Sequence, residues 1–229
     1  MTKGIEYLIA VGFLFLFIVF WRYINVPVEA VRSPVTERIA EAARSLGDLI
    51  GGFFVPGNVY YHPGHAWARV EDEEALIIGV DDFGQKLVGR IQDVKLPVVG
   101  TSVRQGEQGW TLQADGKSIG MLSPVDGKVL AVNHDLAQAP EKINKDPYGE
   151  GWLMVVHSPR KTGILKGLLS GNLAKRWIED ARANLLARSD ADLGMVLTES
   201  GPPVEGIARV LDQENWDEIV KEFFLVKEE

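Results

Sequence analysis

Residues 109–122 read GWTLQADGKSIGML, and this stretch decides the fold class. Two strand-like runs, Gly109–Ala114 and Ser118–Leu122, flank the dipeptide Asp115-Gly116. An Asp-Gly pair between two such runs is a strong hairpin signal, because a two-residue type I′ turn needs positive φ at both positions. The stretch therefore predicts a β-hairpin with Asp115-Gly116 at its turn and Lys117 directly after it.

Similar short runs continue on both sides of this hairpin. They are rich in Val, Ile and Leu, are separated by Gly and Pro, and include Ala75–Val80, Ile91–Leu96 and Lys128–Val132. Such spacing is typical of a compact β-sandwich or barrel, which we place at residues 58–157. Within it, Asp81–Val88 has a helical pattern and Ala137–Ile143 predicts a second short helical turn.

The chain becomes helical again over residues 158–229. Asn172 is a candidate N-cap for a helix with Leu173, Trp177, Ala181 and Leu185 on one face. Met195–Leu197 has the pattern of a short strand. Asp212 is a candidate cap for a last helix, whose apolar stripe either packs on the core or faces a partner; the stripe consists of Trp216, Ile219, Val220, Phe223 and Phe224.

The N-terminal residues 1–26 predict a membrane anchor. Tyr7–Trp21 is an uncharged apolar run, somewhat shorter than the ~20 residues that span a bilayer. Trp21 and Tyr23 are typical interfacial residues. A cleaved signal peptide is the alternative, although Trp-Arg-Tyr follows the run where small residues are expected. One lysine precedes the run and four arginines follow it, at positions 22, 32, 38 and 44, which predicts a single-pass protein of the cytoplasmic membrane with its bulk in the cytoplasm.

Residues 27–57 predict a juxtamembrane amphipathic helix and a linker. Ser33-Pro34 is a typical helix start, and Gly51-Gly52 would end the helix. Apolar residues recur at helical spacing between them, at Val35, Ile39, Ala43, Leu46 and Ile50. This helix would pack on the domain, on the bilayer or on a partner helix.

Composition excludes several function classes. A net charge of −8 argues against a nucleic-acid partner, which requires a positive surface. The chain has no cysteine, so thiolate metal sites and disulfides are excluded. His62 and His65 are too few to form a zinc site by themselves. The pairs His134-Asp135 and His157-Ser158 have no third partner that the sequence identifies. We therefore predict no catalytic residue and no metal.

Five blocks of the domain resemble the glycine-cleavage H protein in order and spacing. They are His65–Val70 (HAWARV), Ile78-Gly79-Val80, Gly89–Gly100 (GRIQDVKLPVVG), Ser123–Val132 (SPVDGKVLAV) and Asn144–Leu153 (NKDPYGEGWL). The resemblance implies a mainly β fold of the lipoyl-domain type, a barrel-sandwich hybrid. It also implies a carrier function, in which a lysine at a hairpin tip bears lipoic acid and moves groups and electrons between partner enzymes.

The chain departs from this family pattern at the tip. In an ungapped match, Gly116 takes the position of the family's lipoyl-lysine, and Gln113 takes that of an acidic residue three places earlier. Lys117 lies one residue further on, where the strand alternation directs its side chain to the other face. We therefore expect no lipoyl cofactor and a solvated Lys117; a lipoyl group on Lys117 is the alternative.

These observations together predict a non-enzymatic protein that binds other subunits of a membrane complex. The family association favours a redox complex. The alternative is a lipoyl carrier that uses Lys117 and serves a membrane-bound enzyme.

Overall fold

The computed structural model describes residues 16, 17, 47–72, 74–159, 163, 165–188 and 205–226. The chain divides into two units, residues 1–38 and 39–229, and the second contains the fold that follows. Most of the predicted anchor and juxtamembrane helix, and the predicted strand Met195–Leu197, lie outside the described residues. Leu16 and Phe17 are helical, and no helix within the described ranges is long and apolar enough to cross a bilayer.

Antiparallel strands make up most of the domain, as the alternation of short apolar runs predicts. A six-stranded sheet has the order β3-β4-β5-β11-β10-β7, a three-stranded sheet has the order β6-β8-β9, and β1-β2 is a separate hairpin. The strands are β1 Asp48–Ile50, β2 Phe53–Val55, β3 Tyr60–Tyr61, β4 Ala66–Val70, β5 Ala75–Val80, β6 Asp93–Lys95, β7 Ser102–Val103, β8 Gln108–Ala114, β9 Lys117–Leu122, β10 Gly127–Val132 and β11 Met154–His157.

Short helices connect and cover the sheets. They are α1 Asp82–Val88, α2 Lys142–Lys145, α3 Gly171–Ala187, α4 Ile207–Leu211 and α5 Trp216–Phe223, with 3₁₀ turns at His134–Ala137 and Leu165–Gly167. Asp81 caps α1 as the sequence indicates, because its carboxylate accepts a bond of 2.7 Å from the Gly84 amide. The second helical turn, predicted at Ala137–Ile143, is not one element: residues 138–141 are non-helical and separate the 3₁₀ turn from α2.

The core fills the space between the two sheets and beneath the helices. Alternate residues of β8 and β9 face inward, which buries Trp110, Leu112, Ile119 and Met121. β4 and β5 bury nearly every residue, because other elements cover both of their faces. The predicted mainly β, lipoyl-domain-type architecture is therefore present.

The structure corrects several helix predictions. The predicted caps are displaced, since α3 begins at Gly171, before Asn172, and α5 begins at Trp216, four residues after Asp212. The juxtamembrane helix does not reach Ile50, because Asp48–Ile50 pairs with Phe53–Val55 as a hairpin across the Gly51-Gly52 turn. The two glycines adopt positive φ there and close a strand pair, not a helix end. In α3 the buried face consists of Ala174, Ile178, Ala181 and Leu185, so the predicted Leu173 is exposed and Trp177 half-buried.

The helices at the C-terminus have no core of their own. Val220 and Phe224 of the last helical stretch belong to the same cluster of buried residues as the sheets. Of the two alternatives for the apolar stripe of α5, core packing is therefore present. The stretch of residues 205–226 is called the C-terminal segment below.

Candidate functional site

The predicted hairpin turn is present between β8 and β9. Asp115 has φ 45° and Gly116 has φ 75°, and the pair Ala114–Lys117 closes the turn. Two successive residues with positive φ are the mark of a type I′ turn, which Asp-Gly favours. We call Asp115–Lys117 the hairpin tip.

Gly116 is the least hindered position of the tip. A Cβ atom placed on Gly116 would have no heavy-atom neighbour within 4 Å. Asp115 beside it forms an ion pair with Arg209 of the C-terminal segment. At the tip, Gly116 is therefore open, whereas Asp115 is bound to Arg209 of α4, a helix far away in sequence.

Lys117 is bound to the C-terminal segment as well. Its ammonium group pairs with the carboxylate of Asp217 and donates a hydrogen bond of 2.8 Å to the backbone carbonyl of Glu214. It also lies 5.6 Å from the centre of the Trp216 ring. The side chain is 35% exposed. Lys117 is therefore only partly solvated, because it binds a partner that lies 100 residues away in sequence.

Trp216 is buried and lies close to both cations of this contact. The centre of its ring lies 4.9 Å from the guanidinium carbon of Arg209 and 5.6 Å from the ammonium nitrogen of Lys117. Cations attract the face of an indole ring, most strongly where water is excluded. Desolvation lowers the pKa of Arg209. The contact therefore joins a buried aromatic ring to two ion pairs.

Neighbouring lysines lower the pKa of the Asp217 carboxylate. Partial burial on its own would raise the pKa of Asp217, but hydrogen bonds and charge from Lys117 and Lys221 outweigh it and lower the pKa below its usual value. Lys221 lies 3.2 Å from the second carboxylate oxygen. The two lysines thus extend the pH range in which Asp217 is charged towards lower pH.

The C-terminal segment also approaches the domain at glycines. A Cβ on Gly89 would come within 2.7 Å of the Gly206 Cα, and a Cβ on Gly64 within 2.7 Å of the Phe224 carbonyl oxygen. The Gly206 amide donates a bond of 2.8 Å to the Lys86 carbonyl of α1. Such approaches require residues without side chains, so the segment is fitted closely to this domain.

His65 lies beneath the same segment, in an aromatic cluster. Its ring stacks on Phe83 at 4.4 Å and on Trp177 at 4.6 Å between centroids. Its Nδ1 lies 2.9 Å from a carboxylate oxygen of Asp81, and both side chains are buried. His65 therefore connects the helix cap of α1 to the packing of α3 and has a structural role.

The other histidines bring together no catalytic or metal site. His62 Nδ1 accepts a bond of 3.0 Å from the Gly64 amide, and burial, then the proximity of His65, lowers its pKa. His157 lies 3.6 Å from Glu74, while the neighbouring Ser158 is buried. Within the described ranges, no group of three His, Asp or Glu side chains could hold a metal ion.

Comparison with known proteins identifies the family. The family described as glycine cleavage H-protein matches residues 59–181, which is more than half of the chain. The chain belongs to the glycine cleavage H-protein family. Membership of this family supports the prediction that the chain is not itself an enzyme.

Individual H proteins are similar to this chain as well. The protein of Xylella fastidiosa strain Temecula1 is 40% identical over 102 residues, which is 44% of this chain and 78% of that protein. The protein of Rubrobacter xylanophilus is 40% identical over 111 residues, 48% of this chain and 87% of its own length. That of Xanthomonas campestris pv. campestris strain B100 is 35% identical over 127 residues, or 56% and 97%.

A solved H protein from Mycobacterium marinum is also similar. It shares 23% identity, covers 56% of this chain and 99% of its own length, and has a TM-score of 0.48. The family match ends at residue 181, within α3. The C-terminal segment that contacts the hairpin tip therefore lies beyond the part of the chain that matches the family.

The hairpin tip contains one lysine, Lys117, to which lipoic acid could be attached. Amide attachment of lipoic acid requires a free lysine amine. Gly116 has no side chain, and the amine of Lys117 points at the Asp217 carboxylate and the Glu214 carbonyl. Gly116 and Lys117 are recognisable from the sequence. Arg209, Trp216 and Asp217 are not, because nothing local in the sequence pairs them with the tip.

Proposed function

We propose that this H-protein relative is a non-enzymatic, membrane-anchored docking subunit of a multi-subunit membrane complex and carries no lipoyl group. The contact between Lys117 and Asp217 is the observation that supports this proposal most. The family's redox role favours a redox complex as the site of assembly. The membrane location, the orientation towards the cytoplasm and the partner subunits are all parts of the proposal.

The tip is the first line of support. Acylation converts a lysine ammonium to a neutral amide, so the ion pair with Asp217 would be lost and a single N–H would remain to serve both Asp217 and Glu214. Trp216 beside them would then lose one of its two cations. A modifying enzyme would therefore have to displace the C-terminal segment before it reached Lys117.

The apolar run Tyr7–Trp21 is the second line of support. Tethering a domain to a bilayer raises its effective concentration near membrane-bound partners, with no new contact required. The domain retains an H-protein fold, and its hairpin tip is bound to its own C-terminal segment. This arrangement suits a docking role better than that of a mobile carrier.

A lipoyl carrier modified on Lys117 is the second candidate. One observation favours it: Lys117 begins β9 directly after the turn, and a third of its side chain is exposed. In this candidate the C-terminal segment would have to move away from the tip in order to expose the amine.

Intact mass of the native protein, purified from its membrane fraction, tests both candidates. The proposal requires the mass of the unmodified full chain with its own N-terminus. A lipoyl increment that maps to the peptide containing Lys117 would establish the carrier instead.

Membrane attachment is tested separately by fractionation. The full chain should sediment with membranes and resist protease added outside the cells, and deletion of residues 1–26 should release it. A full chain that stays soluble without detergent, or is digested from outside, contradicts the anchor or its orientation.

A further inference from the structure

An exposed turn between β6 and β7 presents apolar side chains to the solvent. Val98 is 78% exposed and Val99 51% exposed, and Val98 is the most exposed large apolar side chain within the described residues. The turn is fixed to β10 by bonds from the Gly100 amide to the Val129 carbonyl, 2.8 Å, and from the Val129 amide to the Thr101 carbonyl, 2.9 Å. The valines are therefore held outward by the fold.

Two lysines without acidic partners flank this turn. Lys95 ends β6, and the side chain of Lys128 lies against Gly100, where an added Cβ would be 3.8 Å from its Cε. Both lysines are exposed, and neither forms an ion pair with a carboxylate in the described part of the chain. The other lysines whose side chains are described do form such pairs: Lys86, Lys117, Lys142, Lys145, Lys175 and Lys221.

A bulge in β10 exposes Leu130, which belongs to a neighbouring hollow and not to this turn. The register of β10 against β11 shifts between Val129 and Ala131, which leaves Leu130 as the extra residue. Leu130 is 48% exposed and lines the hollow with Asp72, Glu74, Ala75 and His157. We call Lys95, Val98, Val99 and Lys128 the Val98 surface.

We propose that the Val98 surface binds the anionic headgroups of a phospholipid bilayer and inserts its valines among them. Unpaired lysines on a chain with a net charge of −8 select an anionic partner. Exposed aliphatic side chains flanked by lysines match the boundary between headgroups and acyl chains. A protein partner of stable affinity buries at least about 1,000 Å² around aromatic or arginine anchors, and the Val98 surface has neither.

The Val98 surface lies away from the hairpin tip. Asp93 of β6 pairs with Gln113 next to the tip, and Lys95 pairs with Thr111 further from it, so the chain leaves β6 in the direction away from the tip. Contact with a bilayer at the Val98 surface would thus leave the tip and the C-terminal segment uncovered. The inference rests on the proposed membrane anchor only for bringing this surface near the bilayer.

The full chain with Thr101→Cys, labelled with a polarity-sensitive dye, tests this inference. The chain has no natural cysteine, so the label is unique. Protein reconstituted in phosphatidylcholine vesicles, with and without phosphatidylglycerol, is compared. We expect a blue shift of emission and quenching by nitroxide lipids with phosphatidylglycerol only, and their loss in the double variants Lys95→Glu/Lys128→Glu and Val98→Ser/Val99→Ser.

Two controls separate the Val98 surface from the anchor. Lys145→Glu makes the same charge change elsewhere and should retain the shift, while a dye on Glu214→Cys near the tip should show none. Flotation with both vesicle types reports the anchor alone. Three results would overturn the inference: flotation without an emission shift, an equal emission shift with both vesicle types, or an emission shift that survives Lys95→Glu/Lys128→Glu. Flotation only with phosphatidylglycerol, lost on charge reversal, would support the surface and contradict the anchor.

Discussion

Lys117 and Asp217 join the hairpin tip to the last helix by an ion pair between residues that lie 100 positions apart. The neighbouring pair, Asp115 with Arg209, has the opposite polarity, and Trp216 contacts both cations. A sliding or inverted contact would bring like charges together, so the two pairs fix one register of the segment on the tip. The tip thus acts as an attachment point within the chain.

The first prediction concerns the strength of this attachment. In a double-mutant cycle with Lys117→Ala and Asp217→Asn, we expect a coupling of about 0.5–1 kcal/mol in the free energy of unfolding, the range of well-placed surface pairs. Urea denaturation measures it. The exposed pair Glu141–Lys145, 3.7 Å apart, is the control and should couple more weakly. Equal coupling in both pairs would show that the tip contact adds nothing.

The second prediction is the pH dependence of the same coupling. The folded-state pKa of Asp217 is lower than its unfolded value, so its contribution is complete above the unfolded pKa of about 3.9 and is lost as pH falls through the folded pKa. The coupling measured near neutral pH should therefore vanish in the most acidic range in which the protein stays folded. If the coupling persists once Asp217 is protonated, it arises from packing and not from charge.

Most of the fold follows from local sequence signals. Asp115-Gly116 predicts the turn, because few other dipeptides adopt two positive φ values at low cost. Asp81 predicts the start of α1, since its carboxylate satisfies an amide within the same turn of helix.

The contacts of the site were not predictable in this way. The segment that meets Lys117 joins the tip through tertiary packing, and no periodicity in α5 indicates which surface its buried stripe covers. The helix prediction at Asp48–Ile50 was wrong for a related reason. Three residues fit a helical spacing as well as a strand pattern, and it is the pairing with Phe53–Val55 that makes them a strand.

The third prediction tests the close approach of the C-terminal segment. Gly89→Ala combines a positive φ of 82° with a Cβ at 2.7 Å from the Gly206 Cα, whereas Gly106 has φ 78° and no neighbour within 4 Å. Gly106→Ala costs about 1–2 kcal/mol for its positive φ. Gly89 has ψ −148°, a conformation that is essentially restricted to glycine, so Gly89→Ala costs more in the backbone and also adds a clash with the Gly206 backbone. We expect Gly89→Ala to destabilise the protein more than Gly106→Ala and to increase amide exchange at residues 205–226. If the two variants have equal effects on stability and on amide exchange, the C-terminal segment does not lie against Gly89.

The fourth prediction concerns the register of the tip. If Gly116 occupies the position of the family's lipoyl-lysine, Gly116→Lys should create an acceptor that a lipoate ligase modifies in vitro, while the unaltered chain stays unmodified. The new side chain has room, since no atom lies within 4 Å of its Cβ, and the positive φ of 75° costs about 1–2 kcal/mol, which the fold can tolerate. Peptide mass spectrometry identifies the modified residue. The matched control is Gly116→Lys with Lys117→Ala, which should be modified equally well, because Lys117 remains bound to Asp217 in the single variant. Modification of Lys117 in the unaltered chain, or of neither residue in Gly116→Lys, would show that the register assigned to the tip is wrong.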